Sequence, residues 1–250
     1  MNANESTNSI PHGAAPVLAI HGGAWDWPDE LDEPKLTGIA AALTAGHEVL
    51  IAGGSAVDAV ERSVRVLEGD PVFDAGYGGY LNRDGVVQLD ALVIDGSTGD
   101  FGAVAGVTTA SNPVSVARFV MEELPECFYV GAGADAVAEA CGLADVVGDS
   151  AIFGAGGYAA PGVAAVGSTG HGEQIYRTLL AKFAGDCVAL GMAAAEAAAA
   201  AADHFEASFP SSMSGVIIID HGGNVGFSQT APKMAHGWID REGRIHTSVV

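Results

Sequence analysis

The chain has 250 residues, 49% hydrophobic and 16% charged, which supports a buried core in one or two domains and excludes collagen, a coiled coil or a disulfide-framed miniprotein. Its 31 acidic residues outnumber its 10 basic ones, for a formal charge of −21, and such a surface repels nucleic-acid phosphates and anionic lipid heads. Neither nucleic acid nor membrane is therefore expected as a partner, and the acid excess, with Lys35, Lys182 and Lys233 the only lysines, suits a halophilic protein of a salt-rich cytoplasm that screens the repulsion.

Residues 1–15 are polar and lack a basic region ahead of an apolar run, so they read as a disordered tail without a secretion signal. The three cysteines, Cys127, Cys141 and Cys187, are odd in number and widely spread. That arrangement fits thiols buried in a reducing, cytoplasmic compartment.

A strand over Pro16–Ile20 is expected to stop at His21-Gly22-Gly23. Lys35 to Ile51 then has helical spacing. Ser55-Ala-Val-Asp58 forms a capping box, after which Val57, Val60, Val64 and Leu67 continue one helical face. Gly85–Ile94, the turn at Asp95-Gly96 and Gly102–Val107 predict a β-hairpin. Asn112-Pro113 caps a helix that ends near Glu123.

In the second half, Val163–Ser168 reads as a strand. Two helices follow, one from about Gln174 to Phe183 and another over Asp186–Phe205, where the run Ala197–Ala202 has high helix propensity. Ser214–Asp220, Val225–Ser228 and Gly237–Asp240 are predicted to close the chain as an antiparallel meander. Hairpins stand where a doubly wound sheet would need crossovers, so the fold class is α+β.

Few motifs carry chemistry on their own. Cys127–Val130 followed by Gly131-Ala-Gly133 resembles a strand and Gly-rich turn for a dinucleotide, the distant alternative function, but Asp135 would occupy the helix start that phosphates need. The eight histidines include no zinc-binding spacing, and most read as solvated or loop residues. By contrast, Ser168-Thr169-Gly170-His171-Gly172-Glu173 offers a hydroxyl and free amide N–H groups at a helix start, suited to an anion or developing oxyanion. Asp149 could meet a cationic amine.

His21–Ala24, Leu67–Asn82 continuing to Leu89-Asp90-Ala91, Gly102–Ala105, Asn112-Pro113, Ala117-Arg118, Val147–Ser150 and Thr169–Glu173 resemble, in order, the plant-type L-asparaginases and isoaspartyl dipeptidases. The resemblance implies an N-terminal-nucleophile hydrolase: a single αββα four-layer sandwich over 16–250, with 16–144 like the α-chain and 147–250 like the later part of the β-chain. It further implies a precursor that cuts itself before a Thr, whose freed α-amine is the base, and pairing of the processed unit as a homodimer. Thr169 and Gly170 would form the oxyanion hole, while Asp149 and Gly172 would hold the substrate's ammonium group. No cofactor is needed for catalysis. Carbonyls of Leu67, Glu68, Asp70, Phe73, Ala75 and Tyr77 would wrap a structural sodium ion.

One block of that resemblance is absent. The chain passes from Cys141–Ala144 directly to Val147-Gly148-Asp149, with Val146 where the substrate-carboxylate Arg should be, and no Thr follows a Gly or Asp. Two inner strands and the nucleophile are expected to be missing with it, and Asp74 stands where relatives have Asn. The family chemistry, release of ammonia from L-asparagine or of aspartate from isoaspartyl dipeptides, would then be lost in this chain. The alternative is a non-catalytic relative that binds amino acids or a partner through Thr169–Glu173.

Overall fold

A computed structural model describes residues 15–142 and 152–250 of the chain. Its first strand, β1 (Leu18–Trp25), runs through His21-Gly22-Gly23 instead of stopping there, because the segment pairs with a strand near the other end of the sequence. Gly22 permits this: a Cβ at that position would lie 2.4 Å from the Phe73 ring. α1 (Asp32–Ile51) starts ahead of the expected Lys35. α2 (Ala56–Gly69) opens on the predicted capping box, with Ser55 Oγ accepting the Asp58 N–H at 3.0 Å and the Asp58 carboxylate accepting the Ser55 N–H at 2.9 Å.

β2 (Leu89–Ile94) and β3 (Phe101–Val107) form the expected antiparallel hairpin. α3 (Pro113–Glu123) crosses to β4 (Phe128–Val130), which lies parallel to β3 and leads into α4 (Ala132–Ala140). The second half supplies β5 (Gly157–Ala160), β6 (Ala164–Gly170), α5 (Gly172–Thr178), α6 (Leu180–Ala189), α7 (Ala194–Ser208), β7 (Ser214–Asp220), β8 (Val225–Gln229), β9 (Lys233–Ile239) and β10 (Ile245–Val249).

Three helices thus replace the two expected over this stretch. Leu179 is left-handed at φ 46° and divides the first. Gly191, at φ 100°, ends the second, and the Met192 N–H turns back to Cys187 O at 3.1 Å, the usual way a glycine closes a helix. The meander is also broken: β8 pairs with β7, but β9 crosses to another sheet and pairs with β1 and β10.

The strands form sheets ordered β1-β9-β10, β2-β3-β4 and β5-β6-β7-β8. α1 packs on the first, α3 and α4 on the second, and α6 and α7 on the third. β1 lies across β6 and β7, while β2 lies across β5. Helices, two small sheets side by side, one larger sheet and helices again make the αββα order. Each sheet has a sizeable apolar core against its own helices. Between the sheet layers the buried apolar cluster among the described residues is small, made of Ala24, Ala231 and Met234.

Candidate functional site

The end of β6 carries Thr169 and Gly170, which stand opposite Gly215 and Ser214 of β7. Gly170 has φ 129°, and a Cβ there would sit 2.2 Å from Met213 O, so the backbone turn demands glycine. His171 then clasps the segment that leads into β7: its N–H donates to Met213 O at 2.8 Å and its Nδ1 accepts the Met213 N–H at 2.7 Å. Its ring meets Trp25 edge-on at 4.9 Å. Gly172 opens α5 with nothing within 4 Å of a would-be Cβ. Thr169, Gly170 and Gly172 therefore share one strand-to-helix turn, whereas Asp149 lies outside the described residues.

Ser168 points away, its hydroxyl donating to Ala155 O. Among the described residues, the Thr169 hydroxyl meets no hydrogen-bonding side chain. Ser214 opens β7 and is fully buried, with Oγ 3.2 Å from Thr230 Oγ1. None of the ten strands among the described residues opens on a threonine.

Two histidines expected to be solvated lie instead in the sheet layers. His21 of β1 faces β6, where a Cβ on Gly167 would come within 3.3 Å of its Nε2. Its Nδ1 accepts the Gly23 N–H at 3.3 Å. Desolvation lowers its pKa to about 4; Asp74 pulls the other way and His236 adds to the lowering. His236, its register partner in β9, is fully exposed to no solvent, packs 4.0 Å from the Phe227 ring and has no partner for Nε2 among the described residues. Burial lowers its pKa as well. Alternation explains the miss: a strand inside two packed layers has no wet face, so a polar residue on it goes inward.

The 67–77 segment folds back on its own carbonyls. Leu67 O accepts the Asp70 N–H at 3.2 Å, Glu68 O the Tyr77 N–H at 2.7 Å and Asp70 O the Phe73 N–H at 3.1 Å. Cβ atoms on Gly76 and Gly78 would lie 2.3 Å from Glu68 O and 2.2 Å from Phe73 O. Each carbonyl keeps a second lone pair, and with those of Ala75 and Tyr77 these four make the predicted six neutral hard oxygens, a donor type that suits an alkali cation. Lys35, unforeseen from sequence, lies buried beside the segment: its ammonium donates to Val72 O at 3.1 Å and sits 4.7 Å and 4.8 Å from the Trp27 and Phe73 ring centres. Desolvation lowers its pKa against the pull of Asp74 and Asp70. Glu68 turns its side chain inward to accept the Val114 N–H and Asn112 Nδ2, both at 3.0 Å, and burial raises its pKa to about 7.

Elsewhere the motifs fill with protein. The Gly131–Gly133 turn does join a strand to a helix, but the Asp135 carboxylate accepts the Thr108 N–H at 2.6 Å and the Thr108 and Thr109 hydroxyls, where a dinucleotide's phosphates would sit. No group of three or more His, Cys, Asp or Glu side chains among the described residues could hold a metal ion. All three cysteines are free, but only Cys187 is buried and Cys127 is exposed, which corrects the expectation of three buried thiols. No helix among the described residues is long and apolar enough to cross a membrane.

Comparison with known proteins gives a match to the asparaginase family model in two pieces, residues 14–147 and 146–249. The chain is 35% identical to the isoaspartyl peptidase/L-asparaginase of Mus musculus over 271 aligned positions, covering 83% of each. It is 30% identical to that of Homo sapiens over 298 positions (94% of this chain, 96% of the relative), and 32% identical to the plant-type L-asparaginase of Pyrococcus abyssi (91% and 97%). The human alignment runs 298 positions yet takes in only about 235 residues here, 94% of 250. About sixty of its positions therefore face no residue of this chain.

Proposed function

The chain belongs to the asparaginase family, and on that premise we propose that it keeps the family's substrate-holding turn without the attacking group. It binds L-asparagine, L-aspartate or a β-aspartyl dipeptide and cuts neither these nor itself. The observation that carries the reading is the pair of family matches that meet at residues 146–147 while the relatives run on for dozens of further positions. Support comes from the strand edges: among the described residues β1 pairs only with β9, and β2 only with β3. A missing pair of inner strands, the first opening on the nucleophilic Thr, accounts for both open edges.

In this reading the Thr169 and Gly170 groups point donors at the substrate's carbonyl oxygen, and Gly172, with Asp149, receives its ammonium. An oxyanion donor contributes about 10²–10³ in rate in other hydrolases, but only once something attacks the carbonyl. The described residues offer no replacement: the His21 imidazole touches no hydroxyl, and the Ser214 hydroxyl is held by Thr230. The sodium ion, held by the carbonyls of Leu67, Glu68, Asp70, Phe73, Ala75 and Tyr77, would order the loop and supply no chemistry. A homodimer in a salt-rich cytoplasm completes the proposal.

The test uses the purified full chain with L-asparagine and a β-aspartyl dipeptide. We expect one band on a denaturing gel, no ammonia or aspartate released, and calorimetric binding of L-aspartate that weakens in Thr169→Val. Two fragments together with ammonia release would overturn the loss of catalysis. Absence of any amino-acid binding would remove the substrate-holding role.

A further inference from the structure

Four of the ten cationic side chains are ion-paired among the described residues, Lys182 with Asp186 being one of them. Arg118 meets Asp58, Glu61 and Glu122, Lys233 meets Asp29 and Asp32, and Arg244 meets Asp240 and Glu242. Arg62 and Arg65 of α2 form no ion pair among the described residues, although 31 carboxylates are available to 10 bases. Of the acids on α2, Asp58 and Glu61 are taken by Arg118 reaching over from α3, and Glu68, which attracts Arg65 electrostatically, spends its oxygens on Val114 and Asn112.

Both guanidinium groups line a cavity of about 310 Å³ between α2 and the start of α3, together with Tyr77, Ser111 and Asn112. Its one carboxylate belongs to Glu68, whose oxygens are occupied by the Val114 N–H and Asn112 Nδ2. Three residues apart on a helix, the two arginines share a face and repel each other unless an anion lies between them. Their planar forks match the oxygens of phosphate or carboxylate. The volume lies at the small end of ligand sites, roughly 300–1,000 Å³, which suits a small metabolite and leaves no room for a peptide.

We infer that this cavity binds a small anion bearing a phosphate or carboxylate group, gripped by Arg62 and Arg65 with Ser111 and Asn112 as neutral hydrogen-bonding groups. The site lies in the outer helical layer, apart from the Thr169 turn in the inner sheet. It is independent of whether the chain hydrolyses anything.

Calorimetry on the full chain at fixed sodium chloride, with inorganic phosphate and separately with succinate as probes, tests the inference. We expect saturable one-site binding of at least one probe, weakened about tenfold or more, near 1.4 kcal/mol, when Arg62→Gln and Arg65→Gln are combined. Arg83→Gln, an exposed cation elsewhere, should leave it unchanged. Both arginines are exposed, so the double variant should retain its circular dichroism. Binding of phosphate alone assigns a phosphoryl ligand, and binding of succinate alone a dicarboxylate. No binding of either probe, an unaltered affinity in the double variant, or equal weakening by Arg83→Gln would overturn the inference.

Discussion

The two sheet layers are made of similar apolar strands but are joined differently. In β5-β6-β7-β8 the two central strands are hydrogen-bonded on both edges, and Leu180, Phe205 and Ile218 fill the space behind them with no exposed surface. Opposite, β1-β9-β10 and β2-β3-β4 each rely on their own helices, through Leu18, Ile39 and Leu43 in one and Val104, Val116 and Val120 in the other. Sheet-to-helix burial thus sustains each half of the divided layer without a continuous ladder. Between the layers the buried apolar cluster among the described residues is small, made of Ala24, Ala231 and Met234, and His236 is enclosed there with them.

The sharpest way to break this comparison is to fill the division. Inserting a relative's missing block between Ala144 and Val147 should convert one band with no turnover into two bands with ammonia release, because the block brings a nucleophile that carries its own base. Hydrogen exchange along the outer edges of β1 and β2 should slow at the same time. An inserted chain that stays whole, with both edges still exchanging freely, would show that the two sheets do not flank the missing strands.

In the undivided half, Phe205→Ala removes a fully buried ring and should cost about 3–5 kcal/mol, read from urea unfolding. The divided half carries the acid-sensitive groups. His21 titrates at about 4 when folded against 6.5 in the open chain, so between those values the unfolded state takes up a proton that the folded state refuses. Stability therefore rises with pH through that window and is lost on acidification, by up to about 3 kcal/mol; His236 adds in the same direction. Amides of β1 and β9 should open before those of β6 and β7 as pH falls from 7 to 5, and simultaneous opening would erase the distinction between the layers. The smallest expected effect is Gly170→Ala, about 1–3 kcal/mol, since a Cβ at φ 129° meets Met213 O. Its check is a thermal melt, in which L-aspartate binding should fall further than the melting temperature alone explains.

Local chemistry explains which elements were legible. Ser55 and Asp58 specify the start of α2, Pro113 that of α3, and Asp95-Gly96 the β2–β3 reversal, each through neighbours within a few residues. β10 was missed because His246-Thr247-Ser248 has no apolar run and becomes a strand only beside β9. Alanine propensity ran past Gly191 in the helix expected to begin at Asp186, although the glycine closes the helix there. Thr169, Gly170 and Gly172 could be placed at one turn from their spacing. The inward turn of Glu68, the clasp of His171 on Met213 and the burial of Lys35 against Trp27 and Phe73 join residues far apart in the chain.

By itself, the order of residues determined the α+β class and the family, since these depend on short-range spacing and on which residue types are present. Tertiary structure alone decided that β9 returns to β1, that His236 is enclosed and His21 turns toward β6, and that Arg62 and Arg65 line a cavity. Pairing, burial and ion-pair competition are contests between distant segments, and only the assembled layers reveal their outcome.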